Sequence, residues 1–166
     1  EDRVPYDLWE KNGWITATDG DAVDYTKVEE RILDEYNKIY NVKELGSDRT
    51  FAAMLLQRLE KRSMTCVDIP QQYATLTDPM QQIEVLLLTH KLTHEPNPVA
   101  RWCFGNTSIV KNGNGQQKYV KETRGRSVIR TKRIDLTAAW VISQARAQHY
   151  VSKIDLSAAI LNDDFG

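Results

Sequence analysis

The chain has 166 residues, of which 41% are hydrophobic and 27% charged, as expected for one compact globular domain over residues 1–166. No apolar run approaches the roughly 20 residues of a membrane-spanning helix, and the charged N-terminus does not resemble a signal peptide. These features exclude a membrane protein, and we expect the two cysteines, Cys66 and Cys103, to stay reduced in a cytoplasm.

The first forty residues predict a strand followed by a helix. Residues 13–18 alternate between apolar and polar side chains, which is typical of a short strand. Thr26 and Glu29 have the spacing of a capping box, and the apolar side chains behind them fall on one helical face. Asn41 is a suitable end for this helix.

The next fifty residues predict alternating strands and helices. We expect a strand that ends in a carboxylate (42–48), a helix (51–62) and a second strand (64–69). Asp78 and Pro79 predict the N-cap and the first turn of a further helix. This alternation predicts an α/β fold in which helices flank a sheet with parallel neighbours.

The last third of the chain predicts a hairpin, a basic loop and a long helix. Two alternating runs in residues 108–121 flank Asn-Gly-Asn-Gly, a strong hairpin signal. The basic loop follows, and a helix rich in small residues is expected from Asp135 onward. The sequence Ile-Asp-Leu recurs at Asp155, which we expect to cap a separate, short terminal helix.

Positive charge is concentrated in one segment, although the net charge is only −1. Residues 1–50 contain 13 acids and 7 Lys or Arg, whereas residues 118–133 contain seven cations and one acid. Such runs are commonly solvated faces, and the alternative is a surface that binds DNA phosphates. The seven candidate DNA-binding residues are Lys118, Lys121, Arg124, Arg126, Arg130, Lys132 and Arg133.

Several catalytic classes have no motif in this sequence. There is no GxxxxGK[ST] phosphate loop and no GxSxG elbow, so the chain is not expected to hydrolyse ATP or to act as a serine hydrolase. Three scattered histidines and two cysteines lack zinc-like spacing, and we expect the histidines on the surface or in packing. Trp102 and Trp140 are expected in the core.

Asp48 and Asp135 are the candidate catalytic residues, because each stands at the junction of two predicted elements. Taken singly, each is explained by helix capping, which Asp favours for backbone reasons alone. If the two carboxylates meet in space, they could instead bind Mg²⁺, which uses few carboxylates and keeps several waters. A two-metal site would need a third acid.

The order of several motifs resembles a known family. The segments VPYDLWEKNGWITATDGDAVDY, LGSDR, HKLTHEPNPVARW, NTSIVKNGNG and TKRIDLTAAW resemble the C-terminal nuclease domain of the large terminase subunit of tailed bacteriophages. The resemblance implies an RNase H-like mixed sheet flanked by helices, with an added β-hairpin. It also implies Mg²⁺- or Mn²⁺-dependent cleavage of double-stranded DNA concatemers during genome packaging.

The resemblance further implies which residues act and which partners are expected. Asp48 and Asp135 match two family acids that hold metal, whereas the family's first acid lies on a strand that would precede Glu1. We therefore expect this chain to lack that strand and the ATPase motor domain. The implied partners are DNA, the small terminase subunit, the portal protein and the ATPase domain, in the cytoplasm of a bacterial host.

Two other functions remain open from the sequence. One is a module without catalytic activity that docks DNA or the portal protein. The other, which the order of the motifs argues against, is a different RNase H-like nuclease such as a resolvase or transposase.

Overall fold

The structure is a computed structural model that describes residues 4–121, 123–124, 127–128 and 132–162. Side chains are described for these ranges except at Phe51, in residues 123–128 and beyond residue 150. None of the helices in these ranges combines the length and apolar character that crossing a membrane requires.

The chain begins with helix α1 (Tyr6–Lys11), and the strand predicted for residues 13–18 is wrong. Gly13 has a φ of +74°, and this left-handed residue turns the chain after α1. Trp14 and Ile15 then pack against a buried cluster that includes Trp9. The alternation of apolar side chains therefore reflects packing on aromatic rings and not pairing with another strand.

A continuous helical segment follows, as predicted, but its cap differs. It comprises α2 (Tyr25–Glu30), a π-helical stretch (Arg31–Tyr36) and α3 (Asn37–Tyr40). The cap is Asp24, whose carboxylate accepts a hydrogen bond from the Thr26 amide at 2.8 Å, so the predicted capping box is wrong. The segment ends as expected at Asn41, which is left-handed with a φ of 45°.

The middle of the chain forms a β–α–β unit in the predicted order. It consists of β1 (Leu45–Ser47), α4 (Arg49–Lys61) and β2 (Cys66–Asp68), and the two strands pair in parallel with Gly46 opposite Val67. Leu56 and Leu59 on α4 are completely buried. Their burial gives each roughly 1.5–3 kcal/mol of hydrophobic stabilisation, which fixes the helix in place.

Helix α5 (Tyr73–Leu88) begins earlier than the sequence indicated. The prediction of a start at Asp78 and Pro79 is wrong, because Pro79 lies inside the helix and is buried. An internal proline removes one helical hydrogen bond at a cost of about 3 kcal/mol. Burial of Leu76, Met80 and Ile83 on the same helix offsets that cost, so tertiary packing overrides the local signal.

Helix α6 (Pro98–Gly105) leads into the predicted hairpin, formed by β3 (Thr107–Lys111) and β4 (Gln117–Lys121). The strands pair antiparallel, with Ile109 opposite Tyr119. The basic segment is not entirely a loop, because β5 (Thr123–Arg124) pairs with β6 (Ser127–Val128). In the described ranges the strands thus form three two-stranded sheets, whereas the resemblance implied one mixed sheet with an added β-hairpin.

The last element is α7 (Asp135–Asn162), a helix of 28 residues that contacts α5, α6 and β1. Among the residues of α7 up to 150, Val141 and Ala145 are buried, and Val141 joins the core formed with α5 and Tyr119. The expectation that Asp155 begins a separate helix is wrong, because Asp155 lies inside α7. No Gly or Pro interrupts residues 135–162, so nothing ends the helix before the second Ile-Asp-Leu.

Candidate active site

Asp48 lies between β1 and α4 and caps the helix. Its Oδ1 accepts a hydrogen bond from the Thr50 amide at 2.9 Å, and Asp68 at the end of β2 accepts one from the Arg49 amide at 3.0 Å. The capping interpretation is therefore correct for Asp48. It does not exclude a second role, since within the described residues the other carboxylate oxygen of Asp48 makes no hydrogen bond.

Asp135 is the first residue of α7, and the segment before it is firmly anchored. Asn106, which is only 2% exposed, donates its side-chain amide to the Arg133 carbonyl at 3.1 Å. Thr107 and Thr137 share a hydroxyl–hydroxyl hydrogen bond of 2.8 Å, which ties the hairpin to the first turn of α7. The N-terminal end of a helix favours negative charge, so a carboxylate suits this position.

The two acids line the same cleft, although 87 residues separate them in the sequence. This cleft, of about 710 Å³, lies between β1 and α7, and Asp48 and Asp135 are both part of its lining. Gly46, which has no side chain, and the small side chains of Ala138 and Ala139 form part of its walls. The structure thus places the two residues that the sequence singled out in the lining of one cleft.

The close approach of β1 and α7 depends on Gly46. A Cβ atom at this position would lie 2.8 Å from Cγ2 of Ile142 on α7. Ile is β-branched and has one strongly preferred side-chain rotamer in a helix, so it cannot easily move aside. Glycine at position 46 therefore lets α7 pack directly on β1.

An ion pair joins Glu44, the residue directly before β1, to α7 at the far end of the cleft, and the sequence analysis missed it. Arg146 on α7 donates two hydrogen bonds to Glu44. One runs from Nε to Oε1 and the other from Nη2 to Oε2, the second at 3.2 Å. The Tyr150 hydroxyl also donates to Oε2 of Glu44, at 3.1 Å. The Arg146 bond in particular holds the pKa of Glu44 below its usual value, despite the opposing effect of burial.

A second pair of missed residues lies near Asp48. Tyr119 donates its hydroxyl to the side-chain oxygen of Gln71, which also lines the cleft. Burial, with a smaller effect of the Asp48 charge, raises the pKa of Tyr119 to about 12. The phenol therefore stays protonated at neutral pH and keeps its hydrogen bond to Gln71.

With this geometry, comparison with known proteins gives the family. A family model for the terminase large subunit, endonuclease domain, matches residues 1–150. The chain belongs to this family. Family membership implies a nuclease role related to DNA packaging, as the resemblance had indicated.

Three comparisons support the assignment of this terminase domain. Protein YmfN of Escherichia coli K12 is 30% identical over 152 residues, which cover 92% of this chain and 32% of YmfN. The terminase large subunit of Enterobacteria phage HK97 is 26% identical over 154 residues, or 92% of this chain and 29% of the phage protein. The crystal structure of the HK97 large terminase matches with a TM-score of 0.74 and 25% identity, over 87% of this chain and 29% of that one.

These comparisons confirm the mixed α/β fold of the terminase domain. The chain spans about a third of the length of the relatives that it matches.

The candidate DNA-binding residues of the terminase domain do not share one face. Lys118 and Lys121 are three positions apart on β4, so they point to opposite sides of the hairpin. The Lys118 ammonium lies 4.8 Å from the centre of the Tyr73 ring, a cation–π contact.

The other candidates are distributed along the segment that leads to α7. Arg133 is exposed and lines a smaller pocket together with Asp135, and Lys132 precedes it. Arg124 lies in β5, while Arg126 and Arg130 lie outside the described residues.

The expected third acid has no counterpart in the described part of the chain. There, no group of three or more His, Cys, Asp or Glu side chains could hold a metal ion. Glu44 lines the same cleft, but Arg146 and Tyr150 already engage its carboxylate.

Proposed function

We propose that this terminase domain is a Mg²⁺- or Mn²⁺-dependent endonuclease that cuts concatemeric double-stranded DNA during genome packaging. One observation carries the proposal: Asp48, which matches the family's acid at the end of the middle strand, and Asp135, which matches its late acid, line one cleft. Family membership supplies the nuclease role, and the cleft supplies a place for it. Because of the family membership, we also propose that the fold belongs to the RNase H-like class.

The residues of the cleft fit a divalent metal. Mg²⁺ in proteins is commonly held by one or two carboxylates while it keeps several waters, and Asp48 and Asp135 in one cleft supply that number of carboxylates. When bound, such an ion activates water and stabilises the leaving oxygen of a phosphodiester, and a pair of ions does both.

The chain itself positions these carboxylates on rigid elements. Asp48 is held by its hydrogen bond to the Thr50 amide, and Asp135 begins a helix anchored by Asn106 and Thr107. Groups fixed before the substrate binds need no reorganisation during the reaction, which is the main way such a site lowers a barrier. We infer that the basic segment 118–133 contacts the DNA backbone with little reading of base sequence.

We place the domain in a larger packaging assembly. Its relatives are about three times longer, so we infer an ATPase domain in the same full-length polypeptide. The proposed partners are double-stranded DNA, the small terminase subunit and the portal protein. The proposed location is the cytoplasm of a bacterial host.

A second candidate is a docking module for DNA or the portal protein that does not cut DNA. The observation that favours it is the small number of acids. Within the described ranges, Asp48 and Asp135 are the two acids that line the cleft without an ion pair to a cation, and no group of three acids, histidines or cysteines there could hold a metal ion. The two candidates differ in one property, which is the dependence of DNA cleavage on a divalent metal.

We expect supercoiled plasmid to be nicked and then linearised in Mn²⁺ or Mg²⁺ and to stay intact in a chelator. The assay uses the longest natural polypeptide that contains this chain, and gel electrophoresis measures the three plasmid forms. A Ca²⁺ reaction serves as the control, since Ca²⁺ takes more oxygen ligands with looser geometry and is expected to support less cleavage. Cleavage that persists in the chelator would contradict metal dependence, and intact plasmid under all conditions would favour the docking module.

A further inference from the structure

We propose that the end of the cleft opposite the two aspartates binds a phosphate of the DNA strand, through Lys43 and Arg146. This inference rests on the proposed function, because it names how the same cleft holds its substrate. The site differs from the basic segment that the sequence indicated, and it lies on α7 and on the residues directly before β1. We call this end of the cleft, defined by Lys43, Glu44 and Arg146, the basic end.

The basic end and the aspartates are separated along one axis. Glu44 and Asp48 are four residues apart on an extended chain, which is about 13 Å at roughly 3.3 Å per residue. Asp135 and Arg146 are eleven residues apart on α7, which is about 16 Å at 1.5 Å per residue. Since Arg146 pairs with Glu44 and Asp135 shares the cleft with Asp48, α7 runs antiparallel to β1.

Charge is therefore polarised along the cleft. One end carries two carboxylates, while the basic end carries two cations and the single carboxylate of Glu44, for a net charge of +1. The walls between them are mainly apolar, including Leu45, Ala139 and Ile142. A DNA strand that lies along this axis would contact the proposed metal site at one end of the cleft and the basic end at the other. The two ends are separated by about four base pairs at a rise of 3.4 Å each.

The donors of the basic end are available for a phosphate. A guanidinium has five N–H donors, and Glu44 uses only the Nε donor and one on Nη2 of Arg146, whose side chain remains 30% exposed. Lys43 is exposed, lines the cleft and has no ion-pair partner among the described residues. The remaining donors of Arg146 and the ammonium of Lys43 are the groups that prefer phosphate oxygens.

Lys43→Gln tests the site without disturbing the fold, because Lys43 is exposed and takes no part in the Glu44–Arg146 pair. Binding to a short mixed-sequence DNA duplex is measured by fluorescence anisotropy in chelator, at a series of salt concentrations. We expect weaker binding and a slope of log K against log salt that falls by ~0.9, the value for one lost phosphate contact. Lys91→Gln, an exposed lysine after α5, is the matched control and should leave the slope unchanged.

The outcomes separate this inference from the proposed function, since binding is measured without metal. If Lys43→Gln and Lys91→Gln both keep the wild-type slope, the basic end does not bind phosphate, whatever the cleavage assay shows. If both lower it equally, the effect is one of total charge and the inference is overturned. If only Lys43→Gln lowers it while the wild type fails to cut plasmid in any metal, the phosphate site stands and the nuclease proposal fails.

Discussion

Asp135→Asn is expected to abolish metal-dependent cleavage while leaving the fold intact. Asn has nearly the size of Asp, and loss of the favourable negative charge at the helix start costs only about 0.3–1 kcal/mol, so thermal melting should change little. The substitution removes the negative charge that a metal ion requires. A metal supplies several kcal/mol of transition-state stabilisation, and each ~1.4 kcal/mol is a factor of ten in rate. We therefore expect cleavage of plasmid to fall by about 100-fold or more.

Asp155→Asn is the matched control for this experiment. Asp155 lies in the same helix α7 as Asp135 and in a nearly identical Ile-Asp-Leu context. It is twenty residues further along the helix, which is about 30 Å at 1.5 Å per residue. We expect this variant to cut DNA at the wild-type rate. Full activity of Asp135→Asn would exclude a metal-binding role for Asp135. Equal losses in the two variants would mean that the substitutions damage α7 and not a metal site.

Replacing Arg124, Arg126 and Arg130 together with Gln is expected to weaken DNA binding for all sequences alike. If each contacts one phosphate, the slope of log K against log salt should fall by ~0.9 per residue, or about 2.7 in total. Binding is measured on two duplexes of unrelated sequence, because contacts to phosphates carry no sequence information. The loss should therefore be the same for both duplexes.

A triple variant at Lys11, Lys61 and Lys91 removes the same number of charges from exposed positions outside the basic segment. We expect its slope to match that of the wild type. An unchanged slope in the arginine variant would mean that the basic segment is a solvated surface that does not contact DNA. The DNA backbone would then have to contact other surfaces, of which the basic end of the cleft is one.

Local sequence signals predicted those parts of the fold that local interactions determine. Asn41 ends its helix in a left-handed conformation, and the Asn-Gly-Asn-Gly stretch turns the hairpin. The prediction of the β–α–β unit around α4 was also correct, because its strands and its helix differ clearly in the periodicity of their apolar residues. The positions of Asp48 and Asp135 at element junctions followed from these same signals.

The features that depend on tertiary packing could not be predicted. Pro79 is typical of a helix start, yet burial of the residues around it extends α5 through it. Glu44 and Arg146 are 102 positions apart, and nothing in the sequence near Glu44 indicates its partner. The only available signal was Arg146 itself, a single cation within an alanine-rich stretch of α7.

Above all, we propose that Asp48 and Asp135 together hold a divalent metal. The most direct test of this proposal is a crystal of the protein soaked in Mn²⁺, with diffraction data collected to give the anomalous signal of manganese. We predict an anomalous peak in the cleft within coordination distance, about 2.0–2.2 Å, of carboxylate oxygens of both residues. A cleft without a peak at Mn²⁺ concentrations that support cleavage, or a peak bound only elsewhere, would contradict the account.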